Sequence, residues 1–109
     1  MQQLAVTQVA SFCARHGMAV LLDVREAWEV SLAEIRIDGA QAQHIPMGQI
    51  PTRLAEIDAA HPIICICHHG VRSAQVTMFL KHKGFESVYN LSGGIDAWSL
   101  AVDASVPRY

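Results

Sequence analysis

Two uninterrupted apolar runs constrain this chain more than any other feature. Ala19-Val20-Leu21-Leu22 runs into Asp23-Val24, and Pro62-Ile63-Ile64-Cys65-Ile66 runs into Cys67. A strand that is apolar at every position has no face to offer water. Such strands belong inside parallel sheets covered by helices on both sides. Each run therefore predicts a buried strand, the first over Ala19 to Val24 and the second over Ile63 to Ile66. Each ends on a residue with chemistry of its own, Asp23 and Cys67. In sheets of this kind, ligands bind beyond the carboxyl ends of the strands.

Helix signals fill the spaces between. Leu4-Ala5-Val6 reads as a first strand, Thr7 as an N-cap, and Gln8 to His16 as a helix with Val9, Phe12 and Cys13 on one face, stopped by Gly17. Arg25 to Leu32 reads as a helix with Trp28 facing inward, and Ala42 to Ile45 as a short strand closed by Pro46. Ala33 to Gln43 carries no clear period. Met47 to Ile50 reads as a loop, and Pro51 opens a helix over Thr52 to Ala59. A helix from Ala74 to Lys83 capped by Gly84, a strand over Ser87 to Leu91, a turn at Gly93-Gly94 and a short helix over Ile95 to Trp98 complete the chain. Alternating strands and helices predict an α/β fold with a mainly parallel sheet and helices on both faces.

The 109 residues suffice for one domain with one core. A 51% hydrophobic and 17% charged composition fits a compact globular chain. No apolar run approaches the ~20 residues of a membrane span, and Met1-Gln2-Gln3-Leu4 has no signal-peptide pattern, so a cytoplasmic protein away from membranes is expected. A net charge of -2 gives no reason to expect nucleic acid. Three cysteines without scaffold spacing point to a lone reactive thiol in a reducing compartment.

That thiol is Cys67. It sits where a buried strand ends and a helix is about to begin, a place where unpartnered N–H groups and the positive end of the helix dipole collect. A thiol held there ionises more readily. Gly70 permits a positive φ, and neighbouring N–H groups form a nest for an anion. Arg72 adds a cationic fork, which either contacts substrate or braces the loop. Ser73 is placed to cap the helix, and His68 and His69 to line the mouth. The loop from Cys67 through His68, His69, Gly70, Val71, Arg72 and Ser73 is the expected anion-binding site. Cys65 and Cys13 read as core residues. Neighbours at i and i+2 on a strand lie near the ~6.8 Å Cα limit of a disulfide, which argues against Cys65 as a resolving thiol. Cys67-His68-His69 lacks a second cluster with zinc spacing, so neither metal nor cofactor is expected. His16, His61 and His82 read as surface residues, His44 as a strand-end structural residue, Trp28 and Trp98 as core aromatics, and Lys81 and Lys83 as solvated charges.

Cys67-x-x-Gly70-x-Arg72-Ser73 resembles the active-site loop of the rhodanese sulfurtransferases. Leu22-Asp23-Val24-Arg25-Glu26, His44-Ile45-Pro46, Gly84-Phe85 and Leu91-Ser92-Gly93-Gly94-Ile95-x-Ala97-Trp98 follow the order of landmarks in single-domain members. The likeness runs from about Ala5 to Trp98. It implies a rhodanese-like domain over residues 1–109 with about five parallel strands. It implies a persulfide on Cys67, formed from a donor such as thiosulfate and passed to cyanide or a thiol. Asp23 and Arg25 match the family's Asp-x-Arg element and imply support of the loop from the neighbouring strand end. Four residues separate Cys67 from Arg72, against five in cysteine-based phosphatases, so the resemblance favours sulfur transfer over a phosphatase or arsenate reductase. A non-turnover sulfur carrier or regulatory binding module is the other alternative. One departure is the absence of the family's usual histidine within Glu34 to Gln43. The tail from Val102 to Tyr109 resembles the ends of rhodanese domains fused to ubiquitin-activating-like adenylyltransferases, which points to a sulfur-carrier protein as partner.

Overall fold

A computed structural model describes residues 1–109. Five strands form one parallel sheet in the order β1-β5-β4-β2-β3. They are β1 (Gln2–Ala5), β2 (Ala19–Asp23), β3 (Ala40–His44), β4 (Ile63–Ile66) and β5 (Val88–Ser92). The helices are α1 (Val9–His16), α2 (Ala27–Leu32), α3 (Val71–His82) and α4 (Gly94–Ala101). The α/β class expected from the two apolar runs is the one observed. β4 lies between β2 and β5, with Cys65 in register with Leu22 on one side and Asn90 on the other. All pairings are parallel. Every carboxyl end therefore emerges on one edge, which gathers Asp23, His44, Cys67 and Ser92.

Alternation along the strands splits the core in two. Leu21, Ile64, Ile66 and Leu91 pack on one face with Val9, Phe12, Ile95 and Trp98 of α1 and α4. Val20, Leu22, Ile63, Cys65 and Cys67 pack on the other with Val76 and Leu80 of α3 and with Ile50 and Ile57. The sulfur of Cys67 thus belongs to the α3 face. No helix is long and apolar enough to cross a membrane.

The structure corrects several local expectations. Val6 leaves β1 and enters a 3-10 turn over Val6–Gln8, and Thr7 caps nothing. The Ala5 N–H donates instead to the Gln8 side-chain carbonyl at 3.0 Å. The expected helix over Thr52 to Ala59 is two 3-10 pieces, Met47–Thr52 and Leu54–Glu56. Pro51 lies inside the first piece and offers no N–H to an α-helical ladder. Trp28 is 63% exposed rather than inward. The six-residue α2 turns Glu29 inward instead. α3 begins at Val71 with Gly70 as its N-cap, so Ser73 lies inside the first turn and is not the cap. Trp98 is buried as expected, and α3 closes through the Phe85 N–H donating to the Leu80 carbonyl at 3.0 Å.

Candidate active site

The thiol is held by the ends of two helices. Cys67 is the first residue beyond β4 and is 1% exposed. Its carbonyl accepts from the Ile95 N–H at 2.9 Å, and the His68 carbonyl accepts from the Asp96 N–H at 3.1 Å. Both donors lie in the first turn of α4. Each planar trans peptide directs its N–H opposite to its C=O. Turning these carbonyls toward α4 therefore turns the following N–H groups toward the loop interior. Gly70 then reverses the chain at φ +99, and its N–H donates to Cys67 Sγ at 3.0 Å. The Ser73 hydroxyl lies 3.2 Å from the same sulfur. The first turn of the twelve-residue α3 opens next to it, so its free N–H groups and dipole favour negative charge there.

A second layer reaches the loop from β2. Every N–H of the fully buried Arg25 guanidinium has an acceptor. Nε and Nη2 donate to the Asp23 carboxylate at 2.9 and 2.7 Å, and Nη2 also donates to the Ala33 carbonyl at 2.6 Å. Nη1 donates to the Glu29 carbonyl at 3.3 Å and the Tyr109 hydroxyl at 3.0 Å. Tyr109 in turn donates to Glu29 Oε1 at 2.9 Å. The Arg72 fork closes the chain with two bonds of 2.7 Å to Glu29. No hydrogen bond joins the Asp23 or Arg25 side chain to the Cys67 loop, and their hydrogen-bonded link to it runs through Tyr109 and Glu29 to Arg72. Arg72 does not face the thiol with a free fork, because Glu29 holds it.

Hydrogen bonds from Arg72 keep Glu29 ionised, down to about 2. Burial opposes this, and the Glu26 N–H and Tyr109 hydroxyl assist it. His68 stacks between His69 and Tyr109, with ring centroids 3.9 and 3.8 Å apart. Burial and the neighbouring His69 lower its basicity, so it is neutral at pH 7. His69 is open to solvent, with Nδ1 4.0 Å from Asp96. Val71 is exposed at the start of α3. His44 closes the end of β3 by donating from Nε2 to the Arg25 carbonyl at 2.7 Å. Burial pushes the Cys65 thiol up to about 12, which leaves it a neutral core group. A cavity of about 140 Å³ lined by Asp23, Glu34, His44 and Ile66 opens on the opposite face of β4 from the sulfur.

The family model described as "Rhodanese-like domain" matches residues 6–101. The chain belongs to the rhodanese family. It is 34% identical to "Thiosulfate sulfurtransferase GlpE" of Pseudoalteromonas translucida, with 84% of this chain and 94% of that protein covered. It is 38% identical to the chloroplastic "Rhodanese-like/PpiC domain-containing protein 12" of Arabidopsis thaliana, where 84% of this chain spans 30% of that protein. A crystal structure of a rhodanese-like domain protein from Staphylococcus aureus superposes with a TM-score of 0.78 at 26% identity, covering 100% of this chain and 99% of that one.

Three residues of this rhodanese site escaped the sequence reading. Glu29 carried a signal, since a carboxylate three residues after Glu26 at a helix start is a capping arrangement, and it does receive the Glu26 N–H at 3.0 Å. Asn90 carried one too, as an amide inside the otherwise apolar Val88-Tyr89-Asn90-Leu91. Tyr109 carried none. The Glu29–Arg72 pair yields a stability prediction. Removing the charge from one partner of a partly buried, hydrogen-bonded pair leaves the other less compensated, so Glu29→Gln should cost about 2 kcal/mol at pH 7. Glu29 has a lowered folded value, so its contribution is complete above its ordinary 4.5 and is lost as pH falls toward about 2. Urea midpoints of wild type and Glu29→Gln should therefore draw together as pH falls from about 5 to about 2. A gap that stays constant over that range would show that the carboxylate charge is not what stabilises.

Proposed function

We propose that this rhodanese is a sulfurtransferase that carries sulfane sulfur as a persulfide on Cys67. The observation that carries the reading is the sulfur at the base of a loop where the Gly70 N–H donates to it and α3 begins beside it, with the nearby Arg72 fork held by Glu29. The Cys67 thiolate attacks the outer sulfur of thiosulfate. The S–S bond of the donor breaks, sulfite leaves with the bonding pair, and a Cys67 S–S bond forms. Cyanide or a thiolate then attacks the terminal sulfur, the new S–S bond breaks, and the Cys67 thiolate returns. The Gly70 N–H and the α3 terminus stabilise the charge on sulfur at both stages. The name of the GlpE relative supports thiosulfate as donor. The short loop and the Glu29-bound Arg72 disfavour phosphate ester hydrolysis, which needs a cation turned to the phosphoryl oxygens.

The test is the intact mass of the protein after incubation with thiosulfate, and separately with a small thiol persulfide, in the absence of reductant. A gain of one sulfur that cyanide removes is the expected result. No gain from either donor would overturn the reading in favour of a binding module without turnover. Arg72 has its own expectation. Its fork is spent on Glu29, so Arg72→Ala should lower transfer from the thiosulfate dianion and from a thiol persulfide by the same factor, roughly tenfold, through a loosened loop. A much larger loss for thiosulfate would show that Arg72 binds the donor directly.

A further inference from the structure

Ser73 has one proton and two neighbours that want it. Asn90 is 2% exposed on β5, and its orientation is set by acceptors that cannot donate. Its Nδ2 donates to the Gly70 carbonyl at 3.1 Å and to Gln3 Oε1 at 3.0 Å. Its Oδ1 therefore faces Ser73 and accepts that hydroxyl's proton. With the proton committed there, Ser73 turns a lone pair toward Cys67 Sγ, 3.2 Å away. That arrangement suits a thiol, which donates S–H to the lone pair. It opposes a thiolate, which needs the proton instead.

We propose that Asn90 is a positioning residue that sets the ionisation of Cys67 by competing with the sulfur for the Ser73 proton. When Cys67 S–H ionises, its proton leaves to solvent and the Ser73 hydroxyl must turn from Asn90 to the sulfur. Asn90 Oδ1 is then stranded in a buried position, which offsets what the thiolate gains. Once the sulfur carries no charge, as in a persulfide whose charge lies on the outer atom, the hydroxyl returns to Asn90. The device therefore disfavours the resting thiolate without penalising the loaded state. The inference takes from the proposed function only that Cys67 is the reacting thiol.

The other groups around the sulfur leave this contest undisturbed. From β4 comes Cys65, a neutral thiol. From α3 comes Arg72, matched by Glu29 of α2. From the turn after β2 comes Arg25, matched by Asp23. From α4 comes Asp96, matched by Arg108. His68 is neutral and His69 points to solvent. The 3-10 segment after β3 presents only Met47 and Ile50 to this apolar cluster.

The test is a pH titration of thiolate ultraviolet absorbance, read as the difference between each protein and its Cys67→Ser counterpart. No sulfur donor is needed, so failure of this inference is separable from failure of the sulfurtransferase reading. Asn90→Val should move the midpoint down by about one pH unit, because Ser73 is then free to donate to the sulfur. Ser73→Ala should move it by less than about 0.3 unit, since the wild-type hydroxyl gives the thiolate little net help. In the Ser73→Ala background, Asn90→Val should have no effect. A merely structural role predicts the opposite sign, because losing the Asn90 bond to the Gly70 carbonyl loosens the Gly70 N–H from the sulfur. An unmoved or raised midpoint in Asn90→Val, or a shift that persists without Ser73, overturns the proposal. Should Asn90→Val not fold, Ser73→Ala decides alone, and a rise of about one unit or more there would show an uncontested hydroxyl.

Discussion

Cys67→Ser should lower thiocyanate formation from thiosulfate and cyanide by at least about a thousandfold and abolish the gain of one sulfur in the intact mass. A serine hydroxyl cannot form the persulfide, and no other thiol is placed to replace it. Cys13 is buried in the α1 face and Cys65 is a neutral thiol within the sheet. The fold should survive. Serine is slightly smaller than cysteine, and its oxygen remains within reach of the Gly70 N–H and the Ser73 hydroxyl, so the cost should be about 1 kcal/mol. Thermal unfolding and far-ultraviolet circular dichroism establish that the variant is folded. Thiocyanate production by a folded Cys67→Ser protein would rule out the covalent mechanism.

The second large effect is expected far from any reacting atom in sequence. A Cβ on Gly94 would lie 2.4 Å from the His68 carbonyl oxygen and 2.5 Å from that of Cys67. Neither oxygen can yield easily, because Ile95 and Asp96 hold them by their N–H groups. Gly94→Ala must push the start of α4 away from the loop, releasing the two carbonyls whose direction turns the loop amides inward. It also places alanine at φ +62. Strain and overpacking together should cost about 3 kcal/mol, and transfer should fall roughly a hundredfold. Gly17→Ala is the control. Gly17 also has a positive φ, +76, but open space where its Cβ would go, so it reads a backbone cost without a clash, about 2 kcal/mol. Equal stability and activity in the two variants would show that the tight seat of α4 on the loop does not matter.

What was legible in the chain was local. An apolar run is buried wherever it goes, and this is why Ile63 to Ile66 announced a central strand and why Cys67, following it without a break, announced a strand end before a helix. Gly70 announced a reversal, and φ +99 is what it adopts. Where local signals misled, the reason was that burial depends on what else is present. The pattern around Trp28 suggested an inward aromatic, yet α2 spends its buried position on Glu29 because Arg72, Tyr109 and the Glu26 N–H meet there. The stretch after Pro51 had helical composition but too few buried contacts, with Ile57 the last of them, to hold a full helix against the missing proline N–H.

The amino-acid sequence by itself determined the class of fold and the family, because each follows from short runs of side chains adjacent along the chain. Only the tertiary structure decided what surrounds the Cys67 thiol. Arg72 finds Glu29 across 43 residues, Tyr109 finds Glu29 across 80, and Ser73 finds Asn90 across 17. No periodicity records such pairings. They exist because the strand order β1-β5-β4-β2-β3 carries these segments to one edge of the sheet, where the charges cancel in pairs and the sulfur is left beside the Gly70 N–H and the Ser73 hydroxyl.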